Sequence, residues 1–273
     1  MQVVLARIVL AGLALAALFA LPPASMAFNA NFSGWAVLVV AGDWRANTGN
    51  PTQGFENARR EMAASFASLG FLPANIRQLS VKPPPGEQGV GLAVGPKSLE
   101  TTFLPATMRA PSGCLIYITS HGSEEGVVLG DTLMTPSQMQ RFLRTTCGER
   151  PTILIVSACH SGIFAKPELQ APNRMIFTAA LPERSSFGCG ETDRYPYFDG
   201  CMLDTLRDGA GSFLDLAQKT MKCVTRRERE LRALPSEPQL FVGARIRPLL
   251  EALRFDLAAI EDGKADAPRY ALR

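Results

Sequence analysis

Short apolar runs recur along the chain and alternate with segments in which apolar residues have helical spacing. Continuous runs such as Trp35–Ala41 are typical of strands that are buried on both faces of a sheet. Residues 75–81 instead have the pattern of a partly exposed strand. The pattern predicts six main strands, at Trp35–Ala41, 75–81, 114–119, 152–156, 174–179 and Gln239–Val242.

Helical spacing is clearest after the first strand, where apolar residues recur every three or four positions until Gly70. Thr135-Pro136 supplies an N-cap and a first-turn proline for another helix. Gly130-Asp131 interrupts an apolar stretch and predicts a hairpin at 127–134, and the prolines within 82–96 predict a long surface loop. Helices are predicted at 55–69, 135–146, 211–233 and 248–260.

Strands that alternate with helices predict a mostly parallel sheet covered by helices on both faces. The expected fold is a single three-layer α/β/α domain with a central sheet of about six strands. It would occupy residues 28–273, a length that one large α/β domain can use entirely.

The first residues have the pattern of an export signal. Arg7 is followed by an apolar run at 8–21, then by Pro22-Pro23 and the small residues Ser25-Met26-Ala27. We expect residues 1–27 to be a signal peptide that is cleaved after Ala27, so that the mature chain is secreted or periplasmic without stable membrane insertion. The apolar run is shorter than the roughly 20 residues that cross a bilayer, which makes a retained anchor the lesser alternative.

Charge gives no indication of a nucleic-acid partner. The chain has 28 basic and 25 acidic residues, for a net charge of +3, and the charges at 226–230 alternate in sign as on a solvated helix face. The sequence leaves the oligomeric state open.

Six cysteines remain in a compartment that would permit disulfides. Cys114 opens one predicted strand and Cys147 lies just before the next, so a bridge between them is expected. A second bridge is expected between Cys189 and Cys201, which bracket a polar loop. Cys223 has the apolar spacing of a buried free thiol. These two bridges leave Cys159 as the other unpaired cysteine.

Two consecutive buried strands end in reactive side chains. The third ends in Ser120-His121-Gly122, and the fourth is followed by Cys159. The ends of adjacent parallel strands lie about 5 Å apart, so the thiol and the imidazole should meet across one crevice. Only a few per cent of a free thiol with a pKa near 8.5 is ionised at neutral pH, and an adjacent base increases that fraction. The backbone N–H groups of Gly122 and Cys159 are candidates for an oxyanion hole.

Other interpretations use the same residues. His160 is next to the thiol, but consecutive residues leave a strand in opposite directions, which favours His121 as the base. His121, Cys159 and His160 could also be zinc ligands, although the chain has no metal-binding spacing of cysteines or histidines. Either catalytic candidate could be an ordinary structural residue if it stood alone.

The segments Ser-His-Gly at 120–122 and Ser-Ala-Cys-His-Ser-Gly at 157–162 resemble the legumain-like (peptidase C13) family of the caspase and legumain clan of cysteine peptidases. The similarity extends over residues 35–205 and includes Ser185-Ser186. It implies a caspase-like fold, with Cys159 as nucleophile and His121 as general acid/base. It also implies that Ser185, Ser186 and Asp199 contact substrate, although the serines could form a simple turn and the aspartate a cap.

One part of the family pattern is missing. Legumains and caspases have a basic residue near the start of the first helix, whereas this chain has Thr52-Gln53-Gly54-Phe55 there, with Arg45 as the nearest cation. The resemblance implies a cysteine endopeptidase that acts on polypeptides without a metal or organic cofactor, and the signal pattern implies that it is exported. Neither gives its side-chain preference. The alternatives are a non-catalytic peptide-binding module and a transamidase-type component of a larger assembly.

Overall fold

The structure, a computed structural model, describes residues 31–255, so the predicted signal peptide at 1–27 lies outside the described residues. Nine strands and six α-helices occur in residues 31–255. The strands are β1 (Trp35–Ala41), β2 (Ile76–Ser80), β3 (Val90–Leu92), β4 (Gly113–Thr119), β5 (Val127–Leu129), β6 (Thr132–Met134), β7 (Thr152–Ser157), β8 (Arg174–Thr178) and β9 (Gln239–Val242). The helices are α1 (Gly54–Ser68), α2 (Pro96–Arg109), α3 (Pro136–Thr146), α4 (Tyr197–Arg207), α5 (Phe213–Glu230) and α6 (Arg247–Ala252).

Seven strands form the central sheet, in the order β3-β2-β1-β4-β7-β8-β9. All neighbours are parallel except β9, which runs antiparallel to β8. The six predicted strands are all present, and the three-residue edge strand β3 is the seventh. It lies within the segment that was expected to be an irregular loop. The predicted hairpin is also present, as β5 and β6.

Helices cover both faces of the sheet, which confirms the three-layer α/β/α fold. On one face, α2 and α3 place Phe103 and Phe142 against alternate residues of the central strands, such as Ile116. On the other face, Phe66 of α1 packs edge-on against Tyr117 of β4. Every residue of β1, β4 and β7 is buried, which explains why these strands are continuously apolar.

The helix predictions are correct in part. Thr135 and Gln138 form a reciprocal capping box at the start of α3, so this helix begins where the sequence predicts. The closing helix ends at Ala252, earlier than predicted, and residues 256–260 of that prediction lie outside the described residues. The helices α2 and α4 were not predicted.

One of the two expected disulfides is confirmed. Cys114 and Cys147 are bonded, with their Cα atoms 6.1 Å apart. The expected Cys189–Cys201 bridge is wrong, because Cys201 is bonded to Cys223, which is therefore not a free thiol. Cys201 lies on α4, which packs against α5, where Cys223 is found. Among the described cysteines, Cys159 and Cys189 are free.

Candidate active site

The strand register brings His121 and Cys159 to the same edge of the sheet. Thr119 at the end of β4 pairs with Ser157 at the end of β7, and each candidate follows its strand by two residues. Both side chains are partly exposed. The structure thus places Cys159 and His121 at the same edge of the sheet, just after the carboxyl ends of adjacent parallel strands.

The backbone turns sharply just after Cys159. His160 has a φ of 58°, in the left-handed region that a residue with a side chain rarely occupies. The short 3-10 helix Ser161–Ala165 follows, and the hydroxyl of Ser161 accepts hydrogen bonds from the backbone N–H groups of Ala179 and Ala180 at 3.0 and 3.2 Å. These bonds tie the turn to the end of β8 and fix the position of Cys159.

The ring of His160 points away from His121. Its Nδ1 lies 2.9 Å from the carbonyl oxygen of Pro182. The backbone N–H of His160 donates to the carbonyl oxygen of Arg184 at 2.8 Å. Both polar contacts of His160 are therefore with the segment that follows β8, which leaves His121 as the candidate base. Within residues 31–255, no group of three His, Cys, Asp or Glu side chains is placed to hold a metal ion.

A backbone carbonyl orients the ring of His121. Nε2 lies 2.8 Å from the carbonyl oxygen of Arg45, and the ring of Phe55 packs edge-on against the imidazole with 5.1 Å between ring centroids. A carbonyl can only accept a hydrogen bond, so Nε2 must carry the proton. In the neutral ring, Nδ1 is then the unprotonated nitrogen and the possible base.

The Arg45 carbonyl is itself held by a compact turn. One carboxylate oxygen of Asp43 accepts hydrogen bonds from the backbone N–H groups of Trp44 and Arg45, at 2.7 and 3.1 Å, and from Nε of Arg45 at 3.0 Å. The Arg45 guanidinium also donates to the carbonyl oxygen of Gly130 at 3.0 Å. The hydrogen bond and the charge of Asp43 raise the pKa of Arg45. The guanidinium is thus occupied by contacts with Asp43 and Gly130.

Two backbone N–H groups are available near the thiol. Among the described residues, no atom accepts a hydrogen bond from the N–H of Gly122 or of Cys159. Gly122 pairs with Val127 in an isolated antiparallel bridge, in a position where its own N–H is not used. A Cβ atom at position 122 would overlap the carbonyl oxygen of Cys159, so glycine is required for this close approach.

The segment after β8 crosses the active-site edge. The Cys159 thiol lies 3.4 Å from the carbonyl oxygen of Ser186, and Ser185 is exposed beside it. Further along, Thr52 donates from its hydroxyl to the Gly190 carbonyl at 3.0 Å. The backbone of Ser186 therefore lies next to the Cys159 thiol, with Ser185 the preceding residue, and the side chain of Thr52 is hydrogen-bonded to the same segment.

Asp199 lies beneath the catalytic edge and has no solvent exposure. It accepts a hydrogen bond of 2.6 Å from the hydroxyl of Thr119, two residues before His121. Burial raises the pKa of Asp199 to about 6, although hydroxyls around the carboxyl act in the opposite direction. Burial also raises the pKa of the Cys189 thiol, and the nearby charges of Cys159 and Asp199 add to this effect. The contact of Asp199 with substrate stays a prediction.

Sequence analysis did not identify Asp43, Phe55 or the Arg45 carbonyl as parts of the site. A carbonyl is present in every residue and leaves no signal in the sequence. The only available signal for Asp43 was its position, directly after Gly42 at the end of the first buried strand.

Comparisons with known proteins agree with this geometry. Residues 110–222, which contain His121, Gly122 and Cys159, match the model of the peptidase C13 family. Solved structures with the same fold include caspase-1 from Spodoptera frugiperda, with a TM-score of 0.56 and 13% identity over 79% of this chain and 89% of that chain. No curated protein matches. The two matches support a legumain-like family of the caspase clan and a cysteine peptidase-type function.

Proposed function

We propose that this chain is an exported cysteine endopeptidase that cleaves polypeptides through a thioester on Cys159. The main support is one geometric observation. A partly exposed thiol and an imidazole follow paired residues at the ends of adjacent parallel strands, and the imidazole is held by the Arg45 carbonyl in the tautomer that a base requires. The match to the peptidase C13 model over the same residues supports the same class of reaction.

The proposed reaction begins with transfer of the Cys159 proton to Nδ1 of His121. The thiolate attacks the substrate carbonyl carbon, and the N–H groups of Gly122 and Cys159 hold the oxyanion that forms. Protonated His121 then gives its proton to the departing amine as the C–N bond breaks. Water attacks the resulting thioester with His121 again acting as base, which releases the second product and restores the thiol.

The structure favours selective chemistry at one of the two free thiols. The raised pKa of Cys189 keeps this thiol protonated at neutral pH. Cys159 has a base candidate beside it. We therefore expect an electrophilic probe to modify Cys159 and to leave Cys189 unmodified.

Labelling with an acyloxymethyl ketone peptide tests the proposal. Wild type and Cys189→Ala should be labelled at the same rate, Cys159→Ala should not be labelled, and His121→Ala should react about 100-fold or more slowly. Labelling that persists in Cys159→Ala would assign the reactive thiol elsewhere. A folded wild type that neither reacts with the probe nor cleaves a mixed peptide library would instead be a non-catalytic peptide-binding module.

Export needs a separate test, because the predicted signal peptide lies outside the described residues. No helix within residues 31–255 is long and apolar enough to span a bilayer. Sequencing the N-terminus of the protein recovered from an exporting cell should give Phe28 as the first residue. A chain that retains residues 1–27 in its mature form would contradict the export proposal.

A further inference from the structure

A cavity of about 240 Å³ opens beside the catalytic edge, between the loop after β1 and the segment after β2. Its walls include the ring of Trp44 and the three consecutive prolines at 83–85. Glu56, in the first turn of α1, also lines it. The candidate substrate residues Ser185, Ser186 and Asp199 do not line this cavity, so it is distinct from the substrate contacts expected from the sequence.

The cavity lies close to the reacting groups. Phe55 and Glu56 are consecutive residues of α1, and the Phe55 ring packs against His121. Trp44 precedes Arg45, whose carbonyl holds the same imidazole. A substrate that places its scissile bond between Cys159 and His121 could therefore extend a nearby side chain into the cavity.

Glu56 belongs to a cluster of two carboxylates and one guanidinium, which has a net negative formal charge. One of its carboxylate oxygens accepts a hydrogen bond of 2.8 Å from Arg59, whose fully buried guanidinium also pairs with Glu87 at 2.7 Å. Two carboxylates thus share one guanidinium. The other oxygen of Glu56 is buried and has no hydrogen-bond partner among the described residues. A buried acceptor of this kind is costly unless a donor reaches it.

A cation of the chain itself already contacts the Trp44 ring at the wall of this cavity. The ammonium group of Lys82 lies 3.8 Å from the centre of the Trp44 ring, in a cation–π contact. The Lys82 side chain is exposed, and such contacts are weak at exposed sites. A cation carried by a ligand could therefore replace Lys82 on the ring while also donating a hydrogen bond to Glu56.

We propose that this cavity is a subsite for a lysine or arginine side chain of the polypeptide substrate. The cationic end group would lie between the Trp44 ring and the unpartnered oxygen of Glu56, and the apolar stem would pack against the prolines. This inference rests on the proposed peptidase function for its biological use, but the binding itself does not require catalysis. It gives the site a source of substrate preference in place of the basic residue that is missing at positions 52–55.

Calorimetric titration of the Cys159→Ala chain tests the subsite without any turnover. The probes are Nα-acetyl-arginine methylamide and its citrulline analogue, which has nearly the same shape but no charge. We expect saturable binding of the arginine probe that is about 10-fold or more tighter than binding of the citrulline probe, because a charged donor pairs with a buried carboxylate. Equal affinities, or no saturable heat with the arginine probe, would overturn the proposal.

Three variants in the same background locate the binding. Glu56→Gln should abolish the preference for the charged probe, whereas Glu61→Gln, a change at a more exposed position of the same helix, should keep it. Lys82→Ala should bind the arginine probe more tightly, because it removes the internal competitor. A preference that survives in Glu56→Gln, or an affinity that falls in Lys82→Ala, would contradict the assignment.

Trp44→Leu provides a variant that leaves the Glu56–Arg59–Glu87 cluster intact. It should weaken binding of the arginine probe several-fold through loss of the cation–π contact. Unchanged affinity in this variant would also overturn the proposal. Because every titration uses a chain without its nucleophile, failure here would leave the labelling test of Cys159 unaffected, and failure of labelling would leave these titrations unaffected.

Discussion

The buried carboxyl of Asp199 should make the stability of this protein depend on pH. Its side chain has no solvent exposure, and burial raises its pKa from the ordinary value of 3.8 to about 6. The folded protein therefore holds a proton at this site in a range of pH where the unfolded chain has released it. The stabilisation is fully present below about pH 4 and is lost as the pH rises through about 6.

The expected magnitude follows from the two pKa values. Their difference, from 3.8 to about 6, corresponds to about 3 kcal/mol of stability at low pH. Between about pH 5 and pH 7.5 the contribution should fall by about 1.4 kcal/mol, because part of it is already lost at the lower value. This change is large enough to measure by urea unfolding.

Comparison with Asp199→Asn isolates this carboxyl. Asparagine has a similar shape and does not titrate, so the other ionisable groups cancel in the difference between wild type and variant. The free energy of unfolding of wild type minus that of Asp199→Asn should fall by about 1.4 kcal/mol from pH 5 to pH 7.5. Both chains should carry Cys159→Ala to prevent self-cleavage. As a control, Asp208→Asn, at the exposed end of α4, should show the same change in the free energy of unfolding with pH as wild type. A difference that is constant with pH, or that rises, would refute the reasoning.

Three further predictions concern the bridge between helices and the site. Replacing both Cys201 and Cys223 by serine should lower the free energy of unfolding by about 3 kcal/mol, given the 22-residue separation, and urea unfolding of oxidised chains will measure it. Gly122→Ala should lower kcat about 100-fold with little change in KM, because the added Cβ displaces an oxyanion donor; unchanged kcat in a folded variant would contradict this role. Asp43→Ala should lower kcat about 10-fold and shift the pH–rate profile through loosened hydrogen bonding of His121, whereas Asp43→Asn, which keeps the acceptor oxygen, should restore much of the rate.

The strands could be predicted because their environment dictates their composition. Residues of β1, β4 and β7 are buried on both faces of the sheet, so the sequence there is continuously apolar. Two helices could not be predicted in this way. Pro105 lies inside α2 and Pro96 stands in its first turn, so the sequence of this helix resembles a loop. The start of α4 follows Pro196 in a segment rich in Gly and Asp, which also resembles a loop.

The location of the two candidate groups could be predicted because parallel strands deliver their ends to one edge, and His121 and Cys159 each follow such an end. The partners of these groups depend on tertiary structure. The bond from the ring of His121 goes to the backbone of Arg45, 76 residues away, and backbone atoms do not distinguish one residue type from another. The incorrect prediction of a Cys189–Cys201 bridge has a similar cause, because Cys201 meets Cys223 only once α4 has formed and packed on α5.

Cys159 and Cys189 are free thiols at one edge of the sheet, and in the oxidising compartment proposed for this enzyme such thiols can enter disulfide exchange. Thiol–disulfide exchange requires a thiolate, so the reaction becomes slower when a smaller fraction of the attacking thiol is ionised. Burial raises the pKa of Cys189 and so removes this thiol as an attacking group at neutral pH. The remaining four cysteines are already paired, with one bridge from the start of β4 to the end of α3 and the other between α4 and α5. Under the proposed mechanism, suppressing the reactivity of Cys189 would leave the thiol of Cys159 available for the substrate.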